Sequence, residues 1–362
     1  MWLNMPEGSL MNNIKSSINQ KNKKRLVFLD AAKGIAILFV VAGHLIKMKP
    51  SIIDHGSELA NLIYAFHMPV FFVISGMGLY LSLGTVQITL QNLIERCKKY
   101  TKRLLLCYFV WSLISYFLSS INHKLNTEEW FWSIITFRGR APIWFLGALF
   151  WGEIVFLLFH YFVKNKKTGL IIALIFSAIM TVLCSNLMQS ISDIKNVPVK
   201  YIAISLSRFF PVFFFLCIGF VIMKILQENS FSDILYLITG FAMALLMLLV
   251  QIVSDNQVNL HLFKLGNPFI FILNGTLGSL AIVLICKALS SRISFKLLSK
   301  IGNNSLGIML IHYTPFPTMA QSWSLCTYFS FLPGAFIYIL AVIIATAISY
   351  LATILINRKL LI

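Results

Sequence analysis

The chain has 362 residues, 58% of them hydrophobic and 12% charged, with a mean hydropathy of +0.83. That balance excludes a soluble globular domain and points to a polytopic membrane protein. A formal net charge of +18 would fit nucleic-acid binding only if the cations formed one face of a soluble module. They fall instead between apolar stretches, so no nucleic-acid partner is expected and membrane topology accounts for the charge.

Residues 1–26 read as a basic cytoplasmic tail. The apolar run that follows is too long for a signal-peptide core and lacks a small-residue cleavage pattern, so it reads as a retained span. Windows of about 20 apolar residues give ten spans: 27–48, 59–83, 102–121, 141–163, 168–188, 200–226, 233–253, 267–289, 302–320 and 332–356. With the N-terminus inside, 20 of the thirty lysines and arginines fall on inner segments and 8 on outer loops; Lys33 and Arg208 fall within spans. The positive-inside rule then places both termini in the cytoplasm, in a cell membrane. The expected fold is all-α, about ten transmembrane helices without a separate soluble domain. It forms one membrane domain over 27–357, followed by a short tail at 358–362. The six cysteines show no C-x-x-C spacing, so neither a disulfide framework nor a metal cofactor is expected. Trp130, Trp132, Arg138 and Arg140 in the outer loop 122–140 read as an interfacial belt or the rim of an outward cleft.

The first span, LDAAKGIAILFVVAGHLIKMKP, carries Lys33 and His44. An ionisable residue in a span costs about 2.5–3.5 kcal/mol or more at the bilayer centre, so it marks a functional site by default. Eleven residues at 100° each come to about 20° past three full turns, so both side chains share one helix face, about 16 Å apart along the axis.

The second span places His67 beside Met68 and Pro69, with Gly76 and Gly78 suited to close helix packing. The stretch from Glu95 to Arg103 is basic, with Arg96, Lys99, Lys102 and Arg103. It reads either as inner-face charge meeting anionic lipid or as a grip for the phosphates of a nucleotide-bearing donor. The fourth span holds Glu153 and the sixth Arg208, which could neutralise each other or a ligand. The ninth begins with Asn303, Asn304 and Ser305 and carries His312. Three histidines, a lysine, an arginine and a glutamate inside spans exceed what packing requires.

In this order the motifs resemble the acyltransferase 3 family, multispanning proteins that move acyl groups, most often acetyl, from acyl-CoA to carbohydrates. The resemblance covers nearly the whole chain. It rests on Lys33-x10-His44, FHMPVFFVISG from Phe66, RLLLCYFVW from Arg103, IWFLGALF from Ile143, RFFPVFFFLCIGF from Arg208 and SLGIMLIHY from Ser305. The family commonly has proline where this chain has Cys107, and its paired arginines near the third span are matched only loosely.

The resemblance implies an O-acyltransferase taking acyl-CoA, most often acetyl-CoA, to a hydroxyl of a glycan or lipid-linked sugar. Its catalytic residues would be His44, assisted by His67 and Glu153. Lys33, Arg96, Lys99, Lys102 and Arg103 would hold the donor. Arg208, His312, Asn304 and Ser305 would serve the substrate or the framework. Two other readings stay open: a transporter using the buried charges as a relay, and a membrane scaffold in which Lys33 and His44 are dispensable. Oligomeric state is not legible.

Overall fold

The computed structural model describes residues 26–85, 87–122, 126–191, 194–313, 318–329 and 331–360. The expected N-terminal tail therefore lies, save Leu26, outside the described residues, as do the last two residues of the chain. Among the described residues the regular structure is helical, with one isolated bridge between Asn259 and Lys264.

In chain order the helices are α1 (Val27–Met48), α2 (Gly56–Leu83), α3 (Leu90–Tyr100), α4 (Leu106–Asn122), α5 (Thr127–Ile135), α6 (Trp144–Phe162) and α7 (Lys166–Ile191). There follow α8 (Val197–Glu228), α9 (Asp233–Ser254), α10 (Pro268–Leu289), α11 (Lys296–Asn303), α12 (Ser305–Ile311), α13 (Thr318–Cys326) and α14 (Gly334–Leu360). Among the described residues nine helical stretches are long and apolar enough to cross a membrane, α3 and α4 counting as one through a π-helical turn at Thr101–Leu105. The polytopic all-α class is as expected.

The window 302–320 departs from it, because α11, α12 and α13 replace a single helix there. Asn304 sits at φ −103°, ψ 10°, and its side chain donates to the Lys300 carbonyl (2.8 Å), so a local hydrogen bond competes with the helical ladder. Residues 314–317, among them Pro315 and Pro317, lie outside the described residues. Backbone that leaves the helix at membrane depth is tolerated where protein buries it. Here Ile308 to His312 are all buried, with α12 packed against α1. The loop 122–140 also holds a helix, α5, started by Asn126 accepting from the amides of Glu128 and Glu129. Trp130 is buried beneath the Arg140 guanidinium (4.7 Å).

The core is built on α1, α2, α8 and α10. From Ala65 to Ile74 every residue of α2 is buried, the mark of a helix surrounded by protein. α9, by contrast, turns Ile238, Leu245 and Ile252 outward, as a lipid-facing helix does. Two reciprocal glycine contacts fix the close crossings. Gly76 lies on the Leu216 carbonyl while Gly219 lies on that of Val73, locking α2 to α8. Gly34 lies on the Leu298 carbonyl while Gly302 lies on that of Asp30, locking α1 to α11. Gly78, grouped with Gly76 in the sequence reading, faces open space instead.

Because the helices alternate in direction, Lys33 and His44 mark two opposite faces. Among the described residues, the connections 49–55, 126–143, 194–196, 255–267, 327–329 and 331–333 lie on the His44 face. Gly219→Leu is expected to abolish the monodisperse peak in fluorescence-detected size exclusion, since its side chain meets the Val73 backbone. Gly78→Ala should leave that peak and the Tm unchanged or raised, because alanine is favoured over glycine within a helix by roughly 0.5–1 kcal/mol.

Candidate active site

His44, about one turn from the end of α1, is held by the broken segment opposite. The His312 Nδ1–H donates to the Ile308 carbonyl (3.0 Å), which leaves its Nε2 as an acceptor. That nitrogen lies 2.8 Å from His44 Nδ1, and the two rings are nearly parallel, 5° apart. His44 Nδ1 therefore carries the proton and donates it to His312. The consequence is that His44 Nε2 keeps a free lone pair. His67 follows the same logic, its Nδ1–H donating to the Ile63 carbonyl one turn back (2.8 Å) and its Nε2 left as an acceptor.

His44 and His67 border a small cavity together with Tyr64, Trp144, Asn259 and His261. Its free volume of about 40 Å³ exceeds the roughly 10–15 Å³ that one water needs, and is far below that of a sugar ring. The ring of Tyr64 lies 4.8 Å from that of His67 and 5.9 Å from that of His44, and Tyr313 lies 4.8 Å from His44. Met68 and Pro69 bring α2 alongside, and Phe271 supplies the α10 wall.

Two loops cap this cavity, and Arg208 ties them together. Its guanidinium donates to the Arg138 carbonyl (2.8 Å) and to the His261 carbonyl, and lies 5.1 Å from the Trp144 ring. His261 stacks on Trp144 (21° between planes) and its Nε2 donates to the Gly139 carbonyl (3.2 Å). Burial, and behind it the charges of Arg208 and Arg138, push His261 down to about 3, so it stays neutral at physiological pH. The loop 255–267 is further held by Asn256. Its side chain donates to the Leu265 carbonyl (3.1 Å) and accepts from the Asn267 amide (2.7 Å), while Gly266 supplies the positive φ (61°) the turn needs.

The pairing of Arg208 with Glu153 considered from sequence is not what forms. Glu153, buried on α6, accepts from Arg103 at 2.9 and 3.1 Å, and Arg208 finds carbonyls instead. An arginine with five donors in a fork can satisfy backbone oxygens of two loops at once, which a single carboxylate would not connect.

Arg103 itself sits on the π-helical turn, half exposed, with Lys102 beside it on the same turn. Such turns displace side chains from the regular helix face. Arg96 donates to the Ser82 carbonyl (2.6 Å) and Lys99 is exposed. Lys33 is within 3.7 Å of Asp30, a buried acid the sequence reading passed over. These cations therefore belong to the Lys33 side of the molecule and His44 to the other. Asn304 and Ser305 lie at the α11–α12 junction, about 10 Å along the helix from His312.

Four residues escaped the sequence reading: Tyr64, His261, Tyr313 and the buried His160 of α6. Tyr64 was detectable, since it precedes His67 by three positions and so shares its helix face. His261 stands in a short polar loop with no local signal. Among the described residues no group of three histidines, cysteines or acids is placed to hold a metal ion.

Arg208→Lys removes the fork while keeping the charge. The amides of 255–267 should then exchange with deuterium at least about tenfold faster, given roughly 1.5–3 kcal/mol for a hydrogen bond from a charged donor. Unchanged exchange would mean that Asn256 alone holds the loop.

Among curated proteins and solved structures no match to this chain is found. The family model described as an acyltransferase domain matches residues 26–356, a stretch that runs from the start of α1 almost to the end of α14 and so contains the whole histidine site. The chain is a member of that family of membrane acyltransferases.

Proposed function

We propose that the protein moves an acyl group, acetyl in the simplest case, from cytoplasmic acyl-CoA to a hydroxyl of a glycan or lipid-linked sugar across the cell membrane. The observation that carries the reading is the chain from the Ile308 carbonyl through His312 to His44, which leaves His44 Nε2 as a base turned to a cavity. Both termini are assigned to the cytoplasm, on the excess of lysine and arginine at the Lys33 face.

The donor enters from the Lys33 face. Its phosphates are gripped by Lys33 with Arg96, Lys99, Lys102 and Arg103, and Glu153 sets the Arg103 guanidinium rather than acting on His44. The pantetheine arm spans the roughly 16 Å to His44. At the cavity His44 Nε2 takes the proton of the acceptor hydroxyl as that oxygen attacks the thioester carbonyl. The C–S bond then breaks, and the departing thiolate recovers the proton from the imidazolium. His312 can accept but not donate to His44 Nδ1, so it steadies the imidazolium through the Nδ1–H. The Tyr64 hydroxyl is a donor for the developing oxyanion, and His67 Nε2 is a second acceptor for the incoming hydroxyl. The cavity must widen before a sugar can enter, so loop movement accompanies acceptor binding.

The experiment is release of free CoA from acetyl-CoA by the purified full-length protein, with water standing in for the acceptor hydroxyl and acetate as the second product. His44→Ala should lower the rate by about 10²–10⁴-fold, the share of a positioned base. His312→Phe should cost about 10²-fold through misplacement of the His44 ring, and Lys33→Ala should raise the KM for the donor while sparing kcat. Wild-type rates in a well-folded His44→Ala protein would end the reading.

A further inference from the structure

A second cavity, about 910 Å³, opens on the His44 face beside the first. Its walls come from the α5–α6 connection, the end of α7, the start of α8 and the tip of the 255–267 loop. Arg138, Lys195, Lys200 and Lys264 border it, against one carboxylate, Glu129, among the described lining residues. Of the eight lysines and arginines that the sequence puts on this side, half meet here. On the topology proposed above, the positive-inside bias accounts for the cations of the opposite face and not for these. Four cations against one carboxylate give this cavity an excess of positive charge that suits an anion.

Two further observations bear on what that anion is. Arg138 lies 4.5 Å from the Tyr201 ring, and its buried Nε lacks a hydrogen-bond partner. Burial lowers its pKa, Arg140 adding to the shift while Tyr201 and Glu129 oppose it. The loop 255–267 is a wall shared with the active site. Leu262 to Gly266 face the large cavity, while Asn259, Leu260 and His261 face the one at His44.

We infer that this cavity is the docking site of a negatively charged acceptor saccharide, one carrying carboxylate or phosphate groups, whose reacting hydroxyl reaches His44 past the 255–267 loop. The word acceptor rests on the acyltransferase reading; the binding of the anion does not. Four cations around one volume focus the field and raise the local concentration of an anionic chain, whereas a neutral glycan would gain nothing from them. An anionic lipid headgroup shares the chemistry, but the walls here are connecting loops and helix ends. The apolar hollow beside Trp151, Leu206 and Phe209 on the helix flank suits a lipid better.

The test is equilibrium binding of fluorescent hexagalacturonate and of neutral maltohexaose to the full-length protein in phosphatidylcholine nanodiscs. Wild type should bind the acidic chain at least about tenfold tighter at about 0.1 M salt and lose that preference at about 1 M, where the Debye length falls from about 10 Å to about 3 Å. The double substitution Lys195→Glu with Lys264→Glu, both at exposed loop positions, should abolish the preference. Lys195→Gln with Lys264→Gln should halve it or more, and serves if the charge reversal disturbs folding. Equal binding of the two saccharides, or a preference untouched by both double variants, overturns the inference. So does selective retention of phosphatidylglycerol by wild type without any preference for hexagalacturonate, which would make this a headgroup site. CoA release measured on the same preparation keeps the outcomes apart, since its absence counts against the proposed function and leaves the binding result standing.

Discussion

The hydrogen bond from His312 Nδ1–H to the Ile308 carbonyl is the constraint on which the site depends. It is the same return to the carbonyl four residues back that His67 makes to Ile63 within the unbroken α2. By taking up Nδ1 it turns Nε2 into an acceptor, and that acceptor sets the proton of His44 on Nδ1. One backbone carbonyl thus decides which nitrogen of a residue on another helix is free for chemistry.

Around this pair the protein combines a rigid interior with a cap made of loops. α2 with α8, and α1 with α11, meet through glycines that let backbones touch, and such crossings have no slack. The 255–267 loop sinks Val258, Leu260, Phe263 and Leu265 into the core, and polar contacts at Arg208, Asn256 and His261 fix its path over the cavity. Arg208 joins core and cap, buried in α8 yet bonded to both loops.

Much of this was legible in the sequence, for a physical reason. Hydropathy fixes spans because lipid demands about 20 apolar residues, and the helical repeat puts Lys33 and His44 on one face whatever surrounds them. His67 and His312 stood out because lipid makes their presence costly. What could not be read was pairing. Arg208 and Glu153 looked complementary as isolated charges, but which oxygen reaches a guanidinium depends on the tertiary path of the loops, and Arg138 and His261 offered carbonyls closer at hand. The span at 302–320 was misjudged as continuous because its hydropathy is that of a helix. The Asn303-Asn304 pair was the signal of a break. His261 carries no local signal at all, and only folding brings it over Trp144.

The central claim is the protonation pattern of His44, and nitrogen NMR of the protein labelled with ¹⁵N-histidine reads it directly, with His44→Ala and His312→Ala samples supplying the assignment. The account predicts that at neutral pH His44 is the Nδ1–H tautomer, with a coupling across the hydrogen bond to His312 Nε2, and that the His312→Ala sample loses this preference. A proton resident on His44 Nε2 in the wild-type protein would contradict the account, since the nitrogen facing the cavity would then be a donor and could not take a proton from the acceptor.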